Sequence, residues 1–102
     1  SGQATFYNTG LGSCGVESHD TDFICAIAAP RYDAQGTANP NNNPLCGKKI
    51  NVSYNGGPSV TVTIRDRCPE CAENNLDLSP AAFQAMGATP DQGRVNVVWS
   101  FA

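Results

Sequence analysis

Apolar and polar residues alternate with a period of two through much of the chain, the mark of half-buried β-strands rather than helices. Ala4 to Tyr7 predicts a short opening strand, and the apolar run Phe23 to Ala28 predicts a buried one. From Lys49 to Tyr54 the residues Ile50, Val52 and Tyr54 share a face. Asn55-Gly56-Gly57 then supplies residues that tolerate positive φ, and Val60, Val62 and Ile64 resume the alternation, so this stretch predicts a β-hairpin. A last strand, Arg94 to Phe101, sets Val95, Val97, Trp99 and Phe101 in register. One helix of about two turns is signalled by Ser79 as N-cap, Pro80 at the first helical position, the run Ala81 to Met86, and Gly87 just past the end. The polar, Pro-broken segment from Gly36 to Pro44 predicts an exposed loop. Short strands with one small helix and no internal repeat describe an all-β barrel or sandwich with a helical insert.

At 102 residues the chain is expected to be one domain, residues 1–102, with a single core. A net charge of -3 with only Lys48 and Lys49 adjacent argues against nucleic acid as a partner. No apolar run is long enough to span a bilayer, so no membrane partner is expected. The start at Ser1-Gly2-Gln3 is read as that of a mature protein from which any signal peptide has been removed. Five cysteines, Cys14, Cys25, Cys46, Cys68 and Cys71, suit a secreted protein in an oxidising compartment. An odd count leaves one thiol over in a monomer, and Cys25, inside the apolar run, is expected to be the free one. Cys68-Pro69-Glu70-Cys71 has the spacing of half a zinc site, but no second pair exists and His19 is the only histidine, so neither metal nor cofactor is expected. A thioredoxin-like role would need a βαβ pattern around the pair, which is missing.

The candidate chemistry lies between Val60 and Phe83. In Leu76-Asp77-Leu78 two leucines flank an acid, so an extended backbone that buries both must turn Asp77 outward. Asp66 shares the parity of Val60, Val62 and Ile64, which on a straight strand places it at the barrel mouth, partly buried. Two carboxylates at one mouth suit acid and base chemistry on sugars. A purely structural role is open too: Asp66 would accept backbone N–H groups in a turn, and Asp77 would be a solvated acid before a helix start.

The stretches Asp66-Arg67-Cys68-Pro69-Glu70-Cys71 and Leu76-Asp77-Leu78-Ser79-Pro80-Ala81-Ala82-Phe83, preceded by Ala4-Thr5-Phe6-Tyr7 and Gly12-Ser13-Cys14-Gly15, resemble the expansin-like double-psi β-barrel family. That family includes expansins, RlpA-like proteins, barwin and fungal loosenins, and the single-domain loosenins are the nearest match. The resemblance implies a six-stranded double-psi β-barrel with one or two short helices. It implies Asp77 as a general-acid-like residue, Asp66 as the second acid, and Thr5, Tyr7, Asn8, Asp66, Asp77 and Ser79 as contacts for polysaccharide. Likeness to barwin implies disulfides joining Cys14 with Cys46 and Cys68 with Cys71.

Two departures bear on the reaction. A tyrosine expected two residues after the first acid is Cys68 here, so Tyr7 is the candidate replacement. The position of the catalytic base of related endoglucanases is Asn8, an amide that takes no proton, and inverting hydrolysis needs two carboxylates roughly 6.5 to 9.5 Å apart. The resemblance therefore implies a secreted, non-hydrolytic, monomeric protein that binds and loosens cell-wall glucan or chitin. Two alternatives stand beside it: a weak glycoside hydrolase or lytic transglycosylase, and a cysteine-protease inhibitor or defence-related binding module on the same fold. Tyr7, Tyr32 and Tyr54 are candidates to stack on sugar rings, although Tyr54 and Trp99 share faces with core residues. Asn51-Val52-Ser53 fits a glycosylation acceptor inside a predicted strand.

Overall fold

The computed structural model describes residues 2–34, 43–54 and 56–102. Six strands lie among them: β1 (Gly2–Phe6), β2 (Ile24–Ala28), β3 (Lys49–Tyr54), β4 (Val60–Cys68), β5 (Leu76–Leu78) and β6 (Val95–Phe101). They close into a barrel in the order β1-β5-β2-β4-β3-β6, with β1 also paired to β6. The pairs β1 with β5 and β2 with β4 are parallel, and the other four are antiparallel. Closure leaves no open sheet edge. This is the double-psi barrel the motifs imply.

Inward positions follow the period-two pattern. Cys25 and Ile27, Ile50 and Val52, Val62 and Ile64, and Leu76 and Leu78 fill the barrel. Helix α1 (Ala29–Asp33) continues directly from β2 with Pro30 in its first turn. Helix α2 (Pro80–Ala85) starts where the sequence places it: Ser79 Oγ accepts the Ala82 N–H at 3.4 Å, and Gly87 beyond the end takes φ 98°. Its Phe83 is fully buried, with its ring centroid 4.8 Å from that of Phe6. A 3-10 turn, Pro90–Gln92, precedes β6.

Several expectations change at their edges. Phe23 lies outside the buried strand, which starts at Ile24, and is 44% exposed. Of the predicted loop from Gly36 to Pro44, residues 36–42 lie outside the described residues, and Asn43 is buried rather than exposed. Its amide donates to the Tyr32 carbonyl at 2.7 Å while its own oxygen takes the Leu45 N–H at 2.9 Å, which satisfies a buried polar group. In the predicted hairpin turn Asn55 lies outside the described residues, and Gly56 has φ 70°. Along β6 burial fades from Val95 and Val97 to a half-buried Trp99 and a Phe101 that is 46% exposed. Trp99 closes the barrel's flank rather than its centre: its Nε1 donates to the Asn74 carbonyl at 2.9 Å, and Arg31 stacks on its ring at 5.2 Å. Asn51 is mid-strand on β3, and its side-chain oxygen accepts the Thr61 hydroxyl at 2.7 Å.

Cys14 is bonded to Cys46 and Cys68 to Cys71, as implied, and Cys25 is a buried free thiol. Burial pushes that thiol well above the ordinary cysteine value, which keeps it protonated and inert.

Candidate functional site

Strand register brings the two acids together. Thr5 on β1 is level with Asp77 on β5, Asp77 with Ala26 on β2, and Ala26 with Asp66 on β4. Side chains at paired positions share a face. Thr5, Asp77, Ala26 and Asp66 therefore form one row across four strands on the outside of the barrel.

Asp66 reaches that row through a bulge. Cys25 pairs with Ile64, but the next residue, Ala26, pairs with Asp66, so β4 carries Arg65 as an extra residue. The straight-strand parity that grouped Asp66 with Val60, Val62 and Ile64 is thus broken. Ile64 points inward, and Asp66 turns out to stand beside Asp77.

The bulge is held from outside by the loop after β1. Gly12 lies so close that a Cβ there would run into the Arg65 carbonyl oxygen and crowd the Asp66 Cβ and Cγ at 3.2 Å. The Cys14 N–H donates to the Arg65 carbonyl at 3.2 Å, and the disulfide to Cys46 ties the same loop to the segment before β3. Asp66 Oδ1 accepts two backbone N–H groups, from Ser13 and Arg67, each at 2.8 Å. The Tyr7 hydroxyl donates to Oδ2 at 3.5 Å. Burial, with the Asp66 charge next, pushes the Tyr7 phenol far above its ordinary value, so it stays a donor.

Asp77 has a different setting. It is half-buried between Leu76 and Leu78, and its Oδ1 accepts the Thr5 hydroxyl at 2.9 Å. Its carboxyl is held above the ordinary aspartate value, chiefly by desolvation and further by the charges of Glu70 and Asp66, against the lowering effects of the Thr5 bond and Arg94. Such a group keeps its proton to higher pH than a solvated aspartate and can donate a hydrogen bond.

Of the expected contacts, Thr5, Tyr7, Asp66 and Asp77 converge on this face, and Asn8 is exposed just past β1. Ser79 does not belong with them. It is fully buried, and its hydroxyl donates to the Asp22 carbonyl at 2.5 Å while capping α2, so it faces the fold and not the groove. Tyr32 is likewise withdrawn from sugar stacking: it is 2% exposed, with its hydroxyl against the Cys14 and Cys46 sulfurs. Tyr54 is half-buried and takes a hydrogen bond from Gln92 at 2.8 Å.

Sequence reasoning missed Ala26, Glu70 and Arg94. Ala26, 3% exposed, is the covered position between the two acids in register, and any longer side chain there would push against them. Its signal was the alternation of small Ala26 and Ala28 with Ile27, which marks a covered outer face on a strand buried on both sides. Glu70 and Arg94 come close to Asp77 only through the fold. Concavities of about 500 and 1100 Å³ lie elsewhere on the barrel. Among the described residues no three His, Cys, Asp or Glu side chains cluster as metal ligands would.

A closed barrel with parallel β1/β5 and β2/β4 pairs and an acidic row on its outside defines a class, and the chain belongs to it: a family model described as lytic transglycolase matches residues 1–99 of this expansin-like double-psi barrel. Among its relatives is a papain inhibitor of Streptomyces mobaraensis, 42% identical over 105 residues that cover 98% of this chain and 69% of that protein. The solved structure of a Streptomyces papain inhibitor superposes with TM-score 0.87 at 40% identity, covering 100% of this chain and 92% of that one. An expansin variant of Clavibacter michiganensis, solved in complex with cellohexaose, superposes with TM-score 0.79 at 25% identity over 99% of this chain. The chain spans 48% of that expansin.

Proposed function

We propose that this chain is a secreted protein that binds a cell-wall polysaccharide strand along the Thr5–Asp77–Ala26–Asp66 row and loosens its contacts with neighbouring strands without cutting it. The carrying observation is the row itself: two acids, a threonine and a half-buried tyrosine brought to one outer face of the barrel by strand register. Asp77 presents either an ionised acceptor or a proton donor to sugar oxygens, and charge-assisted hydrogen bonds are roughly twice as strong as neutral ones. That advantage lets the groove compete with bonds between strands. The expansin complex with cellohexaose lends support from a relative, and the disulfides suit an extracellular site.

The test uses purified protein on cellulose and chitin paper, with strip weakening and soluble sugar measured in the same samples. The expected result is weakening without sugar release, lost in Asp77→Asn. Undiminished weakening by Asp77→Asn would remove the role given to the groove.

A second reading, inhibition of papain-class proteases, is favoured by a different observation, the 42% identity with the papain inhibitor over nearly the whole chain. It uses loops rather than the row. Papain titrated with wild type and Asp77→Asn separates the two: stoichiometric inhibition by both proteins would establish the second reading beside the first or in its place.

A further inference from the structure

Past Thr5 the outward face of β1 continues to Gln3, whose register partner on β6 is Asn96. Both line the concavity of about 1100 Å³, which runs across β6 to Ser53 and Tyr54 on β3. Among the described residues Arg94 is the single charged one along it. Its polar groups are already arranged. Arg94 donates to Gln3 Oε1 at 3.3 Å, Gln3 Nε2 donates to Asn96 Oδ1 at 3.2 Å, and Gln92 Nε2 donates to the Tyr54 hydroxyl at 2.8 Å. The Asn96 amide N–H₂ has no bond to another described residue, and Val98 beside it is 64% exposed.

Two links join this concavity to the acidic row. Gln3 and Thr5 stand two residues apart on one face of β1, about 7 Å along the strand. Arg94 lines the concavity while its charge is felt at Asp77.

We infer that the concavity over β1, β6 and β3 is a second binding stretch for the same glycan, taking neutral, hydroxyl-rich sugar units that run on past Thr5. The inference rests on the glycan reading of the row and adds the strand's path and the polymer's class. Amides both donate and accept, which matches the paired roles of sugar hydroxyls. Val98 and the Tyr54 ring add apolar surface for the C–H faces of a sugar. Neutrality follows from the acids: Asp66, Asp77 and Glu70 at the other end repel a polymer of uronate or phosphate units. Four strands from Asp66 to Thr5 span about 14 Å of sheet, so a short oligosaccharide is held by the row and only a longer one reaches Asn96.

Amide NMR titration of the whole chain with cellotriose and cellohexaose, in wild type and Val98→Glu, tests the inference, with hexagalacturonate as the charged control. Cellotriose is expected to shift residues of the row, Thr5, Asp77 and Asp66, and neither Asn96 nor Val98. Cellohexaose should also shift Val98 and the Asn96 side chain and bind about tenfold tighter, and Val98→Glu should abolish that gain while keeping cellotriose affinity within twofold. Cellohexaose shifts confined to Thr5, Asp77 and Asp66, or a length gain that survives Val98→Glu, would overturn the second stretch and leave the row intact. Shifts at Asn96 and Val98 without the row, or no shifts at all, would overturn both. Hexagalacturonate binding as tightly as cellohexaose would overturn the assignment to a neutral polymer.

Discussion

Asp66 is expected to act first as a structural anchor, and substitutions there separate that role from any chemistry. Its Oδ1 holds the Ser13 and Arg67 N–H groups at 2.8 Å each, whereas the Tyr7 contact at 3.5 Å is too long to count for much. A hydrogen bond to a charged group contributes about 1.5 to 3 kcal/mol, and water reaches this half-buried site, so Asp66→Ala should cost about 2 to 4 kcal/mol. Asp66→Asn keeps an oxygen for both N–H groups but removes the charge, and a neutral acceptor is worth roughly half as much, giving a loss of about 1 to 2 kcal/mol. For a domain of this size each kcal/mol moves Tm by roughly 4 to 8 °C. Thermal and guanidinium unfolding of the three proteins should therefore rank wild type above Asn and Asn above Ala, with Ala lower by at least about 8 °C. Faster hydrogen exchange at the Ser13 amide in the Ala variant should accompany the loss. If both variants unfold within about 0.5 kcal/mol of wild type, the donors do not depend on this carboxylate and the anchor role is refuted. The ranking also decides practice: loss of function in Asp66→Ala measures a displaced loop, and the Asn variant is the fair probe.

Three further outcomes follow from the same geometry. Thr5→Val removes the one bond that favours ionised Asp77 from within the row, so the Asp77 carboxyl should titrate at still higher pH, read from its carboxyl carbon by NMR; an unchanged or lower midpoint would contradict the assigned contact. Because the folded pKa of Asp77 is raised above the ordinary 3.8, its contribution to stability is complete below that value and lost as pH rises through the raised one. Asp77→Asn should consequently gain on wild type in urea between about pH 3 and pH 7, and a constant difference would deny the shift. Ala26→Leu adds three heavy atoms at the covered position between the two acids and should force them apart, so glycan binding should fall at least tenfold while Tm, measured alongside, drops by less than about 10 °C; intact binding would mean that the spacing of the acids does not set affinity.

The barrel was legible because burial and alternation speak together. Ile50 and Val52, Val62 and Ile64, and Leu76 and Leu78 each mark an inward face, and Ser79-Pro80 with Gly87 marks both ends of α2. Motif resemblance supplied what the pattern lacked, namely the double-psi barrel type and the pairing of cysteines 32 residues apart. Asp66 shows where pattern reading stops. Its parity argument assumed a straight strand, and one extra residue at Arg65 reversed the side it faces, a feature that depends on Gly12 and Cys14 arriving from another part of the chain. Ser79 failed for the opposite reason. The resemblance implies an outward contact, whereas its capping duty turns the hydroxyl inward.

Hydrogen-bond accounting also bears on hydrolysis. Cutting with inversion requires a carboxylate free to draw a proton from water, opposite the acid that protonates the leaving oxygen. Asp66 is committed to two backbone amide donors on Oδ1, which hold it as the anchor of the loop after β1. Asn8 is an amide that takes no proton. Among the described residues Glu70 is the one other carboxylate whose charge is felt at Asp77, and it sits exposed on the turn closed by Cys68 and Cys71. The non-lytic reading therefore reduces to a statement about one side chain. Glu70→Gln should leave glycan binding and strip weakening within about twofold of wild type, because removing a like charge perturbs Asp77 only through solvent-screened interaction. Soluble sugar released by wild type and lost in Glu70→Gln would identify the missing base, and the protein would then be a hydrolase whose two acids are Asp77 and Glu70.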